Sequence, residues 1–307
     1  DLRMSRGLGD VYKRQEIEAT FSPELEALAV KSNATCRQVM DRLTRQYDGY
    51  RFTKDEEFTS MYNPFSVLSA LQKRSYGNYW FASGTPTFLV EMLQKTDFDL
   101  REMEGIEVNE ASLSDDRADI NNPIPMIYQS GYLTIKDYDE RFRMYTLGFP
   151  NEEVKYGFLN FVSPFYTPIA QTDTSFYIGK FIRELESGDV DAFLTRLRCF
   201  FAGIPYDLND RTERHYQTVF YLVFQLMGQF TETEVRSARG RADAVVKTPD
   251  YIYVFEFKLN DSAEAALRQI DEKGYLLPYQ ADGRKVVKVG VAFEKEERNI
   301  GEWVIGE

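Results

Sequence analysis

Through 16–96 apolar residues recur at helical spacing, broken by short extended pieces. Ser22-Pro23-Glu24 opens a first helix, with Pro at its first position. A second helix is expected over 34–46, ending near Asp48-Gly49. Asn63-Pro64 introduces a third over 65–73, and Thr85-Pro86 a fourth over 87–95. Residues 50–52 and 79–81 read as extended. Residues 105–148 mix strands with a helix: 123–131 suits a helix ending in Gly, and 132–137 with 141–147 forms a hairpin around Tyr138-Asp139-Glu140. A helical region with breaks runs from 150 to 201, and Gly203-Ile204-Pro205 reads as a linker.

The last hundred residues have a sharper order. A long apolar-periodic helix (213–230) precedes three strands (233–237, 241–247 and 251–259). A helix (262–274), a strand (285–293) and a short edge strand (302–305) follow. This α-β-β-β-α-β succession predicts a mixed sheet flanked by helices, so the whole chain is of mixed α/β class. Residues 1–15 carry Arg3, Arg6, Lys13 and Arg14 with little periodicity. They resemble translated cloning sequence and are expected to be a leader outside the fold, with the native protein extending further upstream.

Composition narrows the class. The 307 residues, 43% hydrophobic and 28% charged, can bury a substantial core. No run approaches about 18 apolar residues, so no membrane span is expected. Cys36 and Cys199 are far apart and form no metal-ligand spacing; they read as free thiols of a cytoplasmic protein. The lone histidine, His215, excludes His-rich metal sites and reads as an ordinary helix residue. A net charge of −12 argues against broad attraction to nucleic acid. The deficit is uneven: from 205 onward 14 Lys and Arg face 18 Asp and Glu, closer to neutrality than the rest.

The chemistry-bearing stretch is Gly240-Arg241-Ala242-Asp243, a short Lys-Thr-Pro-Asp turn at 247–250, and Tyr251-Ile252-Tyr253-Val254-Phe255-Glu256-Phe257-Lys258-Leu259. The last run is a strand apolar on both faces. A buried strand tolerates charge only where it is paired or used, because desolvating a lone charge costs several kcal/mol. Glu256 and Lys258, two apart, project from one face. With Asp243 on the preceding strand they could hold a divalent cation and activate a water. A same-face Glu/Lys pair alone is more often a plain salt bridge. Arg239 and Arg241 fit either a solvated turn or a phosphate contact. Arg211, Arg214 and Arg268 fit substrate contact or plain surface equally.

The element order, with Glu213, Asp243, Glu256-x-Lys258 and Gln269 on those elements, resembles the PD-(D/E)XK nuclease superfamily. More narrowly it resembles the nuclease-like C-terminal domain of bacterial AAA-ATPase-like fusion proteins. Tyr47-Asp48-Gly49-Tyr50-Arg51-Phe52, Asn63-Pro64-Phe65-Ser66 and Tyr79-Trp80-Phe81-Ala82-Ser83-Gly84-Thr85-Pro86 look like the tail of the ATPase-like domain. Tyr128-Gln129-Ser130-Gly131-Tyr132-Leu133 and Gly148-Phe149-Pro150-Asn151-Glu152-Glu153-Val154 look like the connecting region.

The resemblance implies a restriction-endonuclease-like αβββαβ domain at 205–307, an ATPase tail at 16–104 and a connector at 105–204. It implies a Mg²⁺- or Mn²⁺-dependent nuclease in which Glu213, Asp243, Glu256 and the carbonyl of Phe257 hold metal. Asp243, Glu256, Lys258 and Gln269 would be catalytic; Arg239, Arg241, Lys273 and Tyr275 would contact nucleic acid, DNA more than RNA. The chain has no Gly-x-x-x-x-Gly-Lys-Ser/Thr, so no ATP site is expected in it. Two alternatives stand beside this: a catalytically inert nuclease-like binding or regulatory module, and an interaction role for the upstream helical region.

Overall fold

The computed structural model describes residues 13–54, 60–83, 89, 92–93, 98–114, 122–167, 170, 173–204, 213–235, 242–259, 261–294, 296–297 and 299–306; at 82, 83, 114, 213–216 and 235 only the backbone is described. The chain divides into two compact units, the first ending at Phe158 and the second starting at Leu159.

The first unit opens with four helices: α1 (Arg14–Thr20), α2 (Ser22–Ser32), α3 (Cys36–Tyr47) and α4 (Pro64–Lys73). Their starts are coded locally. Thr35 and Gln38 cap α3 reciprocally, and Asn63 Oδ1 accepts from Ser66 N at the start of α4. Both α2 and α4 carry Pro in their first turn. Ile17, Leu28, Met40, Leu43, Tyr47 and Ala70 close one core between them. Helix α1 begins two residues before the expected boundary at 16. Arg14 lies in α1 and pairs with Asp41 at 2.8 Å, so residues 14 and 15 belong to the fold. Helix 87–95 falls mostly outside the described residues.

The rest of the first unit comprises β1 (Ile106–Asn109), α5 (Glu110–Ser114), α6 (Ile124–Gln129), β2 (Thr134–Asp139), β3 (Met144–Gly148) and the start of α7 (Glu152–Val162). The three strands form an antiparallel sheet in the order β1-β3-β2, with the expected hairpin joining β2 to β3. Residues 79–81, expected to be extended, instead lead into a 3₁₀ turn, Trp80–Ser83. The Trp80 N–H donates to Glu153 Oε1 at 3.0 Å, a partner 73 positions away that no local pattern reveals.

The second unit continues α7 into α8 (Thr174–Glu186) and α9 (Val190–Ala202), then α10 (Glu213–Met227), β4 (Glu232–Val235), β5 (Ala244–Lys247), β6 (Tyr251–Lys258), α11 (Ala263–Glu272), β7 (Lys285–Glu294) and β8 (Asn299–Gly306). The sheet runs β4-β5-β6-β7-β8, antiparallel except for β6 beside β7. The parallel pair is joined by the α11 crossover, which is what a parallel connection requires. The edge strand expected over four residues is eight residues long.

Strand β6 is covered on both faces. Its odd-numbered side chains, Tyr251, Tyr253, Phe255 and Phe257, form a ladder with ring centroids 5.6–6.2 Å apart. The ladder packs on helices from both sides of the expected linker: Phe193 of α9 lies 5.7 Å from Phe255, and Phe220 of α10 lies 3.8 Å from Phe257. Tyr253 Oη donates to Leu185 O of α8 at 2.6 Å. The even-numbered Ile252 and Val254 pack instead with Ile270 of α11 and with Tyr275. At Gly290 of β7 the α11 backbone lies almost on the sheet: a Cβ there would meet Ala263 O at 2.2 Å and Leu267 N at 2.8 Å. Gly290→Ala is therefore expected to destabilise this unit by roughly 1–3 kcal/mol, read as a lower urea midpoint.

Candidate active site

The site lies where β5 begins and β6 ends. Ala244 pairs with Phe255 in the antiparallel ladder, so the next position places Asp243 opposite Glu256, on the face that meets α11. Asp243 Oδ2 accepts the Phe257 N–H at 2.9 Å, continuing the ladder with a side chain where the β5 backbone has left it. A strand residue points its N–H and C=O to the same side, so the Phe257 carbonyl faces this edge too.

Glu256 is only 3% exposed. Its Oε1 accepts from Lys258 Nζ at 3.3 Å and from Gln269 Nε2 of α11. Gln269 Oε1 in turn accepts from Lys258 Nζ at 2.5 Å, so the three side chains close a ring. Behind it stands Tyr275, whose Oη is 3.5 Å from Gln269 Nε2. The other carboxylate oxygen, Glu256 Oε2, is buried without a hydrogen-bond partner among the described residues.

These surroundings set the charges. Burial first, then the neighbouring Asp243, pushes Glu256 up to about 7, against the opposing pull of Lys258. Asp243 also sits above its ordinary range because it is buried, with the Phe257 N–H and Lys258 pulling the other way. Two adjacent acids that both resist ionisation, one with an unpartnered oxygen, suit a hard divalent cation. Among the described residues no group of three or more His, Cys, Asp or Glu is arranged to hold a metal.

Of the expected site residues the fold thus brings together Asp243, Glu256, the Phe257 main chain, Lys258 and Gln269. Phe220 meets Phe257 and Phe224 meets Phe255, so α10 runs antiparallel to β6 and begins at the site's end of the sheet. The backbone of Glu213 is in its first turn; the side chains of Glu213 and His215 lie outside the described residues, as do Arg211, Arg239 and Arg241. Lys273, at the end of α11, is exposed, whereas Tyr275 is buried behind Gln269. The sequence reading missed the Phe257 N–H as the Asp243 partner. The signal was the strand register, which places 243 opposite 256.

Residues 211–303 match the family model of the PD-(D/E)XK nuclease superfamily. The matched segment holds Glu213, Asp243, Glu256, Lys258 and Gln269, and its elements follow the αβββαβ order with β8 added. A relative described as "Uncharacterized protein in vnfD 5'region", from Azotobacter chroococcum mcd 1, is 31% identical over 303 residues, 96% of this chain. The chain spans 56% of that relative's length. No solved structure matches. Among the described residues no helix is long and apolar enough to cross a membrane.

Proposed function

We propose that the PD-(D/E)XK-like part of the chain is a metal-dependent phosphodiesterase acting on nucleic acid, DNA more than RNA. The observation that carries this reading is the buried pair of Asp243 and Glu256, with Lys258 and Gln269 closed around one Glu256 oxygen and the other without a hydrogen-bond partner among the described residues. Asp243 and Glu256 would hold Mg²⁺ or Mn²⁺, with the Phe257 carbonyl and Glu213 as further ligands. The ion would supply the positive charge that polarises the scissile phosphate and acidifies water.

The chain's own residues do the rest. Lys258 orients the attacking water or stabilises charge building on the phosphate oxygens. Gln269 fixes the Lys258 ammonium and the Glu256 carboxylate relative to each other, and Tyr275 backs Gln269. Arg239 and Arg241 precede Asp243 in sequence and would contact the substrate backbone. The tail of an ATPase-like domain at 16–104 and the connector at 105–204 belong to this same reading.

The test is cleavage of labelled single- and double-stranded DNA and RNA with Mg²⁺ or Mn²⁺. Metal-dependent cleavage is expected, falling at least about 100-fold in Asp243→Asn. A net charge of −12 favours the second reading, an inert nuclease-like module. That reading takes over if the folded protein cleaves none of these substrates and neither ion raises its melting temperature.

A further inference from the structure

The end of β6 that carries the site is held differently from the rest of the strand. The β5–β6 ladder stops at Ala244 opposite Phe255, while the β6–β7 ladder runs on to Lys258 opposite Ala292. Residues 256–258 thus keep backbone pairing on the β7 side. On the β5 side the Phe257 N–H has the Asp243 carboxylate, at 2.9 Å. A single side-chain acceptor turns with its own rotamer, so it constrains a strand end less than a ladder does.

The other handle on this segment is the Phe257 ring, which leaves the strand on the face opposite Glu256 and Lys258. Phe220 of α10 meets it edge to face at 3.8 Å, and Phe224 lies at 6.3 Å. Phe255 stacks alongside at 6.1 Å, and Phe293 of β7 lies at 6.5 Å. Phe293 is itself met edge-on by Phe201 of α9, at 5.0 Å. Wedged among rings from α10, β6 and β7, the Phe257 side chain holds its Cα–Cβ bond in one direction. Peptide planarity passes that orientation to the N–H that bonds Asp243 and to the C=O at the same edge. Phe220 also belongs to the helix that Glu213 opens two turns earlier. The same ring contact therefore sets how the start of α10 stands against the end of β6.

We propose that Phe220 and Phe257 are positioning residues, whose ring contact clamps the end of β6 beyond its β5 ladder so that its main chain meets Asp243. The consequence for metal binding rests on the phosphodiesterase reading, whereas the clamp belongs to the metal-free protein. What separates this pair from ordinary core is its place. Phe193 and Phe224 grip β6 at Phe255, where the ladder with β5 is intact.

That contrast supplies the control. Phe220→Leu and Phe193→Leu each remove a ring packed on β6, and both lower the urea midpoint. Amide hydrogen exchange in EDTA tells them apart. Phe220→Leu is expected to speed exchange of the Phe257 N–H at least about 10-fold relative to the amides of residues 252–255. Phe193→Leu should speed them all together. Phe220→Leu should also raise the Mg²⁺ concentration for half-maximal thermal stabilisation by about 10–100-fold, the range for lost support behind metal ligands. Phe193→Leu should leave it unchanged. Phe257→Leu removes the other ring of the pair and carries the same expectations should Phe220→Leu fail to fold. A Phe257 amide that stays in step with its neighbours in these variants would overturn the clamp. A released amide with an unchanged Mg²⁺ midpoint would overturn its role at the site. A released amide in a protein whose wild type neither Mg²⁺ nor Mn²⁺ stabilises would leave the clamp standing and sink the phosphodiesterase reading instead.

Discussion

Lys258→Met is expected to slow metal-dependent phosphodiester cleavage by about 10²–10³-fold, the range seen when one transition-state charge contact is removed. The substitution keeps an unbranched side chain one atom shorter and removes its ammonium. Asp243 and Glu256 stay in place, so the rise in melting temperature on adding Mg²⁺ should survive. Lys258 also pulls Glu256 downward, so without it the carboxyl ionises less readily and metal binding at neutral pH weakens. Single-turnover rates are therefore to be compared at pH 8.5 with saturating Mg²⁺, where both proteins are loaded. A variant that cleaves at the wild-type rate under those conditions would reduce Lys258 to a counter-ion for Glu256. A variant that loses the thermal response as well would make it part of the metal site.

Much of the second unit was legible because its signals are local. The alternation along β6 assigns two faces, the Ser262 cap starts α11, and the two-residue spacing puts Glu256 and Lys258 on one side. What failed to show was anything set by distant partners. The Trp80–Ser83 turn depends on Glu153, and the Asp243 hydrogen bond depends on the β5–β6 register. Helices α8 and α9 read as a connector, yet their Leu185 carbonyl and Phe193 ring pack on β6. An amphipathic pattern says that a helix has an apolar face and not which sheet will cover it.

Glu256 should also govern how the metal-free protein responds to pH. Its folded-state value of about 7 lies above the ordinary range of about 4.3 for an unfolded glutamate, so between those limits the folded protein binds more protons than the unfolded one. Stability contributed by this group is then full below about pH 4 and declines as pH rises towards 7, levelling off above. The displacement amounts to roughly 3–4 kcal/mol at most, and Asp243 moves in the same direction. Glu256→Gln keeps the oxygen that accepts from Lys258 and Gln269 and cannot ionise. In EDTA its urea midpoint should exceed that of the wild type at pH 8, with the gap closing towards pH 4.5. Taking the difference between the two proteins cancels other titrating groups, Glu153 among them. Adding Mg²⁺ at pH 8 should restore the wild type and leave Glu256→Gln nearly unmoved, because the ion replaces the proton on a carboxylate that the variant lacks. Parallel midpoint curves across this pH range would mean that Glu256 is ionised throughout, and that the unpartnered Oε2 is solvated in the metal-free protein.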